Sequence, residues 1–366
     1  MEKIAVKIKE REKLYEVLIG SSISASIAEF IGKRHKNRKI GVITDDNLKN
    51  LCQKTVLNAL KPLSPLLMSI PSGEKSKSRE MKDKIEDRLL ENKYGRDTVI
   101  IAFGGGVIGD LAGFVASTFD RGVPIIHVPT TLLAMVDSSI GGKTAVNTKH
   151  GKNLIGTTYQ PDAVFADLDF LESLPQGKFI SGMAEIIKIA ATSDKALFEF
   201  IEKNNKKILE RNREALIKII KRAIELKKDV VEKDEKESGL RQILNLGHTL
   251  GHALENYHNY KKKHGHCISI GLAIESKIAN LIGILSSNEA KRIEALLNRF
   301  NLPTTVEKNV DIDKIGEIMK IDKKARNQKP RFVILEKIGK IKSEKNNFSF
   351  EVHESIVRKA VELYRK

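Results

Sequence analysis

Five histidines fall within 22 positions in NLGHTLGHALENYHNYKKKHGH, residues 245–266. An imidazole can ligate a metal, move a proton near neutral pH, or fill a polar gap. His248 and His252 stand four apart in a helical pattern and so share a face. The pair resembles the zincin H-x-x-x-H, but Thr249 rather than a glutamate follows the first histidine, so zincin chemistry is not supported. His264 lies beyond a lysine-rich connection. Glu185, in SGMAEIIKIA, stands on another helical pattern with Lys188 one turn later. Two histidines and one carboxylate would leave a divalent metal an open position for substrate oxygens. Spacing alone does not choose among the five; His258, set among polar residues, reads as a surface side chain. Arg241, Asn245, His248 and His252 recur at intervals of four, three and four. On one helical face they would pack poorly in a core and well against a polyanion.

A second chemistry-bearing stretch is TVIIAFGGGVIGDLAGFVAS, which reads as strand, glycine turn and helix. Gly104, Gly106 and Gly109 fit G-x-G-x-x-G, a turn that lets backbone approach a pyrophosphate at a helix N-terminus. The fingerprint also wants an acid about 20 residues on for the ribose. Here those positions are Pro129, Thr130 and Thr131, and Asp45 at the end of an earlier strand is the better ribose partner. VDSSIGGKTAVNTKHGKN adds Asp137, Lys143, Lys152 and Asn153 on sequence that reads as loop.

The elements that must position these groups come in two textures. Up to about residue 175, apolar runs (KIGVITDDN, PLLMSIPSGE, DTVIIAFGGG, VPIIHVPTT, DAVFADLDFL) alternate with helical patterns such as EMKDKIEDRLLENK, implying a largely parallel α/β sheet. Beyond about 180 the pattern is helical: one long helix or a broken pair over 195–232, then helices over 240–257, 267–283, 288–300 and 353–365. PRFVILEKIGKIK is the strand-like exception. With 366 residues, two domains are expected: an α/β nucleotide-binding unit over 1–178 and a mainly helical unit over 179–366, with the site in the cleft between them.

Composition narrows the function further. The formal charge of +17 is mostly lysine spread along the chain, and aromatic residues are 5% with no tryptophan. Stacking platforms for nucleic acid are therefore scarce, and the positive field suits collection of an anionic small molecule. The two cysteines, Cys52 and Cys267, form no CxxC pair and fit a reducing interior. The N-terminus alternates apolar and charged residues like a strand pair. No stretch approaches the roughly 18 apolar residues of a membrane span. A cytoplasmic protein with neither nucleic acid nor membrane as partner is expected.

The blocks GGGVIGDLAGFVAS, RGVPIIHVPTTLLAMVDSSIGGKTAVN, GMAEIIK and RQILNLGHTLGHALE, followed by HGH, resemble the 3-dehydroquinate synthase family nearly end to end. The resemblance implies a Rossmann-like α/β domain followed by a helical metal- and substrate-binding domain. It implies Glu185, His248 and His264 as ligands of zinc or cobalt. His252 would be an acid/base near the substrate phosphate and Glu237 a second proton-handling group, with Lys188 and Asp137 also catalytic. NAD would meet Asp45, the segment Ser72, Gly73, Glu74, Lys75, Ser76 and Lys77, and the turn Gly105, Gly106, Val107, Ile108, Gly109 and Asp110. It would also meet Thr130, Thr131, Lys143, Lys152, and the stretch Phe170, Leu171, Glu172 and Ser173. Substrate would meet Asp137, Lys143, Asn153, Lys188, Lys227, Arg241, Asn245, His252 and a lysine of DKK, taken as Lys323 rather than Lys324. Arg121 would reach the phosphate in the neighbouring subunit of a homodimer. One departure stands out: the family usually has HGE, so His266 replaces an acid and is expected near the metal without being a fourth ligand.

The implied reaction acts on 3-deoxy-D-arabino-heptulosonate 7-phosphate. It comprises transient oxidation by NAD, phosphate elimination, return of the hydride, ring opening and an intramolecular aldol closure, with no net redox change. The rivals are another sugar-phosphate cyclase, a metal-dependent NAD polyol dehydrogenase, and a basic polyanion-binding protein without catalysis. Arg241 and Lys227 suit a substrate carboxylate and favour the dehydroquinate synthase reading over these.

Overall fold

The computed structural model describes residues 13–321 and 329–366, apart from the side chains of residues 24 and 25. Lys323 and Lys324 therefore lie outside the described residues, as does the first strand of the expected N-terminal pair; its second is β1, Glu16–Gly20. There follow α1 (Ser24–Arg34), β2 (Lys39–Asp45), β3 (Leu66–Ile70), α2 (Arg79–Glu91), β4 (Thr98–Gly104) and α3 (Gly106–Thr118). Next come β5 (Ile125–Pro129), the hairpin strands β6 (Lys143–Thr148) and β7 (Gly151–Thr158), and β8 (Ala163–Asp167).

Six strands form one sheet in the order β1-β8-β5-β4-β2-β3, and every pairing in it is parallel. All seven residues of β4 are buried, because helices cover both faces and leave no reason for alternation. After β3 the chain crosses back over β2 to lay down β4. The reversal opens a crevice at the carboxyl ends of β2 and β4, where Asp45 and Gly104 lie.

The helical half comprises α4 (Gln176–Ser193), α5 (Lys195–Leu209), α6 (Arg213–Lys233), α7 (His248–Tyr257), α8 (His264–Leu281), α9 (Ser287–Arg299), α10 (Ile312–Ile321) and α11 (Glu354–Leu363). Between α10 and α11 the strand-like run becomes a small hairpin, β9 (Leu335–Lys337) with β10 (Lys340–Ile341). The helical stretch over 195–232 resolves as a broken pair, turned at Arg211 (φ 59°) and restarted by the Asn212 side chain, which accepts from Ala215 N. One apolar cluster runs from Phe103 and Phe165 of the sheet through Phe179 and Phe198 to Phe300 and Phe332.

Two expectations need correction. The stretch 240–257 is not one helix: a 3-10 turn over Leu240–Asn245 ends at Leu246, and α7 starts after Gly247. Gly247 has φ 77°, and a Cβ there would lie 2.9 Å from Leu272 N, so only glycine fits the break. From Lys143 onward the stretch read as loop is the antiparallel pair β6–β7, whose strands approach so closely that a Cβ on Gly156 would lie 1.9 Å from Thr144 O. That closeness is a tertiary contact, invisible to local turn chemistry.

Candidate active site

A cleft of about 560 Å³ opens between the carboxyl ends of the sheet and the N-terminal ends of α7 and α8. At its base, Glu185 projects from α4, His248 begins α7 and His264 begins α8. Glu185 Oε1 lies 3.5 Å from His248 Nε2 and 3.3 Å from His264 Nε2. Donor atoms of these three residues lie within 4.8 Å of one another. The outer nitrogens are also engaged: His248 Nδ1 is 3.0 Å from Leu246 O, and His264 Nδ1 is 3.3 Å from Glu255 Oε1. Such contacts fix the tautomer and turn each Nε2 inward.

Glu185 itself is 3% exposed. Burial opposes its charge, but Lys188, 2.5 Å from Oε2, and His264 hold the carboxyl well below the usual range. Oε1 is nevertheless buried with no aligned hydrogen bond. An orphaned carboxylate oxygen facing two imidazole nitrogens fits a divalent cation. A second set, His252, Glu255 and His264, is equally compact. There, however, Glu255 lies near Lys152, 3.9 Å away, as well as His264. His266 belongs to neither set, and His258 sits apart, 3.6 Å from Glu307.

Cationic and amide groups line the cleft above this base. Lys227 Nζ donates to Asp137 at both the carbonyl oxygen and Oδ1, 2.5 Å each. Burial raises the Asp137 carboxyl, but the Lys227 ammonium wins and holds it down; the same burial lowers Lys227. Arg241 is buried, with its guanidinium on Glu235 O and Gly141 O. Glu237, in a left-handed backbone at φ 60°, pairs with Lys143 and accepts from Asn245 Nδ2 at 2.7 Å. Arg241, Asn245, His248 and His252 all line the cleft although no single helix carries them. The break at Gly247 redirects the chain without turning the four away from the cleft.

The glycine turn forms the opposite wall. Gly105 precedes the first turn of α3, and Gly106 and Val107 line the cleft. None of these glycines has positive φ; their need is space. A Cβ on Gly104 would lie 2.6 Å from Ile108 Cγ1, and one on Gly106 would lie 3.2 Å from Ser138 Oγ. The first amides of α3 have no intrahelical acceptor, and Thr130 Oγ1 at the end of β5 is buried without a partner. A bare helix N-terminus at the reversal point of a parallel sheet fits a dinucleotide phosphate.

Lys77 joins this wall to the hairpin by binding Asp110 and Asn153, while Asn147 Nδ2 donates to Glu74 Oε1 at 2.8 Å. Lys152 lies 3.6 Å from Glu74, and its Nζ is 4.4 Å from the Tyr260 ring centroid. Asp45 is half-buried and accepts from Asn47 N and Leu48 N. Ser72, Gly73 and Lys75 are exposed beside Glu74, and Ser76 is buried. Ile108, Phe170 and Leu171 are core side chains, so only their backbone can meet a ligand. Glu172 and Ser173 are exposed, while Gly109 and Thr131 flank the turn. Arg121 is exposed and absent from the lining of its own chain's cleft.

Sequence reasoning missed Glu255 and Tyr260. Glu255 is buried three residues after His252, so helical spacing from an already chosen histidine could have found it. Tyr260 reaches the cleft from the turn after α7, where no periodicity applies.

Fold and site together define the dehydroquinate synthase-like class, a Rossmann-like sheet facing a helical unit across a polar cleft. Residues 67–181 match the family model described as 3-dehydroquinate synthase N-terminal, and residues 182–325 the one described as 3-dehydroquinate synthase C-terminal. The 3-dehydroquinate synthase of Thermodesulfovibrio yellowstonii is 45% identical over 93% of this chain and 96% of its own. That of Acidithiobacillus ferrooxidans is 42% identical over 93% of each. Among solved structures, 2-deoxy-scyllo-inosose synthase complexed with carbaglucose-6-phosphate, NAD+ and Co2+ superposes with a TM-score of 0.87 at 27% identity, over 94% of this chain and 95% of that one. The chain belongs to the 3-dehydroquinate synthase family.

Proposed function

We infer that the chain is a lyase that converts 3-deoxy-D-arabino-heptulosonate 7-phosphate to 3-dehydroquinate and phosphate in the shikimate pathway. The observation that carries this is the convergence of His248 and His264, backed by buried Glu185, with Lys188, Lys227, Arg241, Asn245 and His252 on one cleft that also meets the α3 glycine turn. When bound, NAD supplies a transient hydride acceptor and a divalent metal a Lewis acid for substrate oxygens.

The chain's own residues do the rest. Glu185, His248 and His264 would hold the metal, zinc or cobalt, both compatible with a two-imidazole, one-carboxylate set. The orphaned Oε1 favours this set over the one built on Glu255. For NAD, the α3 turn from Gly105 to Asp110 would cradle the pyrophosphate. Asp45, the segment from Ser72 to Lys77, Thr130, Thr131, Lys143, Lys152 and the stretch from Phe170 to Ser173 would flank it. Lys227 and Arg241 would hold the substrate carboxylate, Lys188 and Asp137 the ring hydroxyls, and Lys143, Asn153 and the DKK lysine the remaining oxygens. His252 and Asn245 would orient the phosphate, an imidazole N–H of His252 donating to it while a phosphate oxygen takes the proton from the adjacent carbon. Glu237, held by Lys143 and Asn245, would accept a proton in the later steps. A flexible substrate held at so many points is positioned and kept from water, which is most of what the sequence of steps requires.

The finer organisation belongs to the same reading: an NAD-binding unit over 1–178, a helical unit over 179–366, a cytoplasmic homodimer, and Arg121 serving the partner's site. The exposure of Arg121 away from its own cleft supports the last of these. No described helix is long and apolar enough to cross a membrane. The sugar-phosphate cyclase alternative has the structural likeness in its favour; the carboxylate-binding pair Lys227 and Arg241 argues for dehydroquinate chemistry.

Purified protein with substrate, NAD and zinc or cobalt should release phosphate without accumulating NADH, and chelator should abolish it. Identifying dehydroquinate fixes the product. NADH rising on a polyol with no phosphate released would refute the synthase reading.

A further inference from the structure

The N-terminus of α7 carries both His248 and His252, yet its cap position is Gly247, which has no side chain to offer. Nor can it carry one: a Cβ there would meet Leu272 N at 2.9 Å and Ile268 O at 3.0 Å. The orphaned amides are met from the neighbouring helix. Glu275 of α8, 1% exposed, accepts from Gly247 N at 2.7 Å and from Thr249 N and Leu250 N at 3.1 Å each. Glu275 is not among the residues that line the cleft; its shown partners are backbone amides on either side of His248.

The two helices run antiparallel in a register set by glycine. A Cβ on Gly271 would lie 2.0 Å from Gly247 O, and one on Gly251 would lie 3.1 Å from Cys267 O. At the far end of the same contact, Glu255 of α7 meets Nδ1 of His264, the first residue of α8. Each helix thus gives one carboxylate to the start of the other. A slip of one turn, about 5.4 Å, would part His248 from His264, whose ring centroids are now 5.6 Å apart.

We propose that Glu275 is a positioning residue: a cap supplied across the helix pair that holds α7 in register on α8 and so presents His248 to the metal beside Glu185 and His264. The inference rests on the metal site of the proposed function. A carboxylate is suited to the task, since it offers acceptors to all three amides and complements the positive end of the helix. An amide in its place would turn an N–H2 toward backbone donors and leave at least one of them unsatisfied in the interior.

The test is cobalt binding by Glu275→Gln, measured by chelator competition well below its unfolding temperature, with NAD affinity in the same samples as control. The expected result is a Co2+ dissociation constant raised about tenfold or more and an altered visible cobalt spectrum, with NAD affinity retained. A lowered melting temperature with unchanged cobalt affinity and spectrum overturns the proposal and leaves a structural role only. His248→Ala tests the underlying site separately: if it keeps tight cobalt binding, the metal-site reading fails, whatever Glu275→Gln does. If Glu275→Gln does not fold, hydrogen exchange of the metal-free unaltered protein decides. Slow exchange of the Gly247, Thr249 and Leu250 amides is expected, and exchange as fast as an open helix end overturns the inference.

Discussion

His252 and His248 sit one turn apart on α7 with ring centroids 5.1 Å apart, yet their surroundings give them different work. His248 faces Glu185 and is fixed at its other nitrogen by Leu246 O. His252 is half-buried on the cleft wall, beyond the donor set around Glu185. Under the proposed roles, His252→Ala should slow phosphate release by roughly 10²–10⁴, the usual range for a lost acid/base group, while metal content stays at wild-type level. Phosphate release in a single turnover, paired with metal analysis, separates the two. Equal loss of metal would sink the assignment of His252.

Among elements, the joint between α4 and α5 bears on the site because α4 carries Glu185. Asp194 caps α5 by accepting from Leu197 N at 2.9 Å and also takes Arg222 Nε of α6 at 2.6 Å. Burial pushes its carboxyl up, but the Leu197 amide and Arg222 outweigh it and leave the pKa below the ordinary 3.8. A group depressed in the folded state contributes stability above its unfolded pKa and loses it as pH falls through the folded value. Asp194→Ala should therefore cost about 0.5–2 kcal/mol at neutral pH, the range for a lost N-cap. The penalty should shrink below about pH 4. Urea denaturation of both proteins across that range checks the sign; a penalty that grows on acidification would contradict it.

At the scale of the whole molecule, the site is proposed to be completed by a second copy. Arg121 sits in the turn after α3 in a left-handed backbone with φ 64°, exposed and not among the residues lining its own cleft. If it serves the partner, a mixture of Arg121→Ala and His252→Ala chains should recover activity that neither has alone. Randomly mixed dimers carry one intact site in half of the pairs, so about a quarter of wild-type activity is expected. Assaying the mixture after reversible dissociation gives the answer, and no recovery would place Arg121 in its own chain's chemistry or in none.

The sequence by itself determined the parallel sheet, because five short apolar runs alternate with helical periods and need no distant partner to be recognised. It determined the glycine turn for the same reason, strand and helix being local patterns. It also made the histidine cluster visible, but not the division of labour within it. His248, His252 and His258 differ in what lies near them: Glu185 on α4, Glu255 and His264 at the cleft wall, and Glu307. Only the tertiary structure decided that Arg241 and Asn245 reach the same cleft from a separate 3-10 turn, through the break at Gly247. It alone brought Glu255 and Glu275 to the ends of the α7–α8 pair. Periodicity reports which face of a helix is apolar; which carboxylate meets which amide depends on register between helices. That register is set here by contacts at Gly247, Gly251 and Gly271 that no single segment contains.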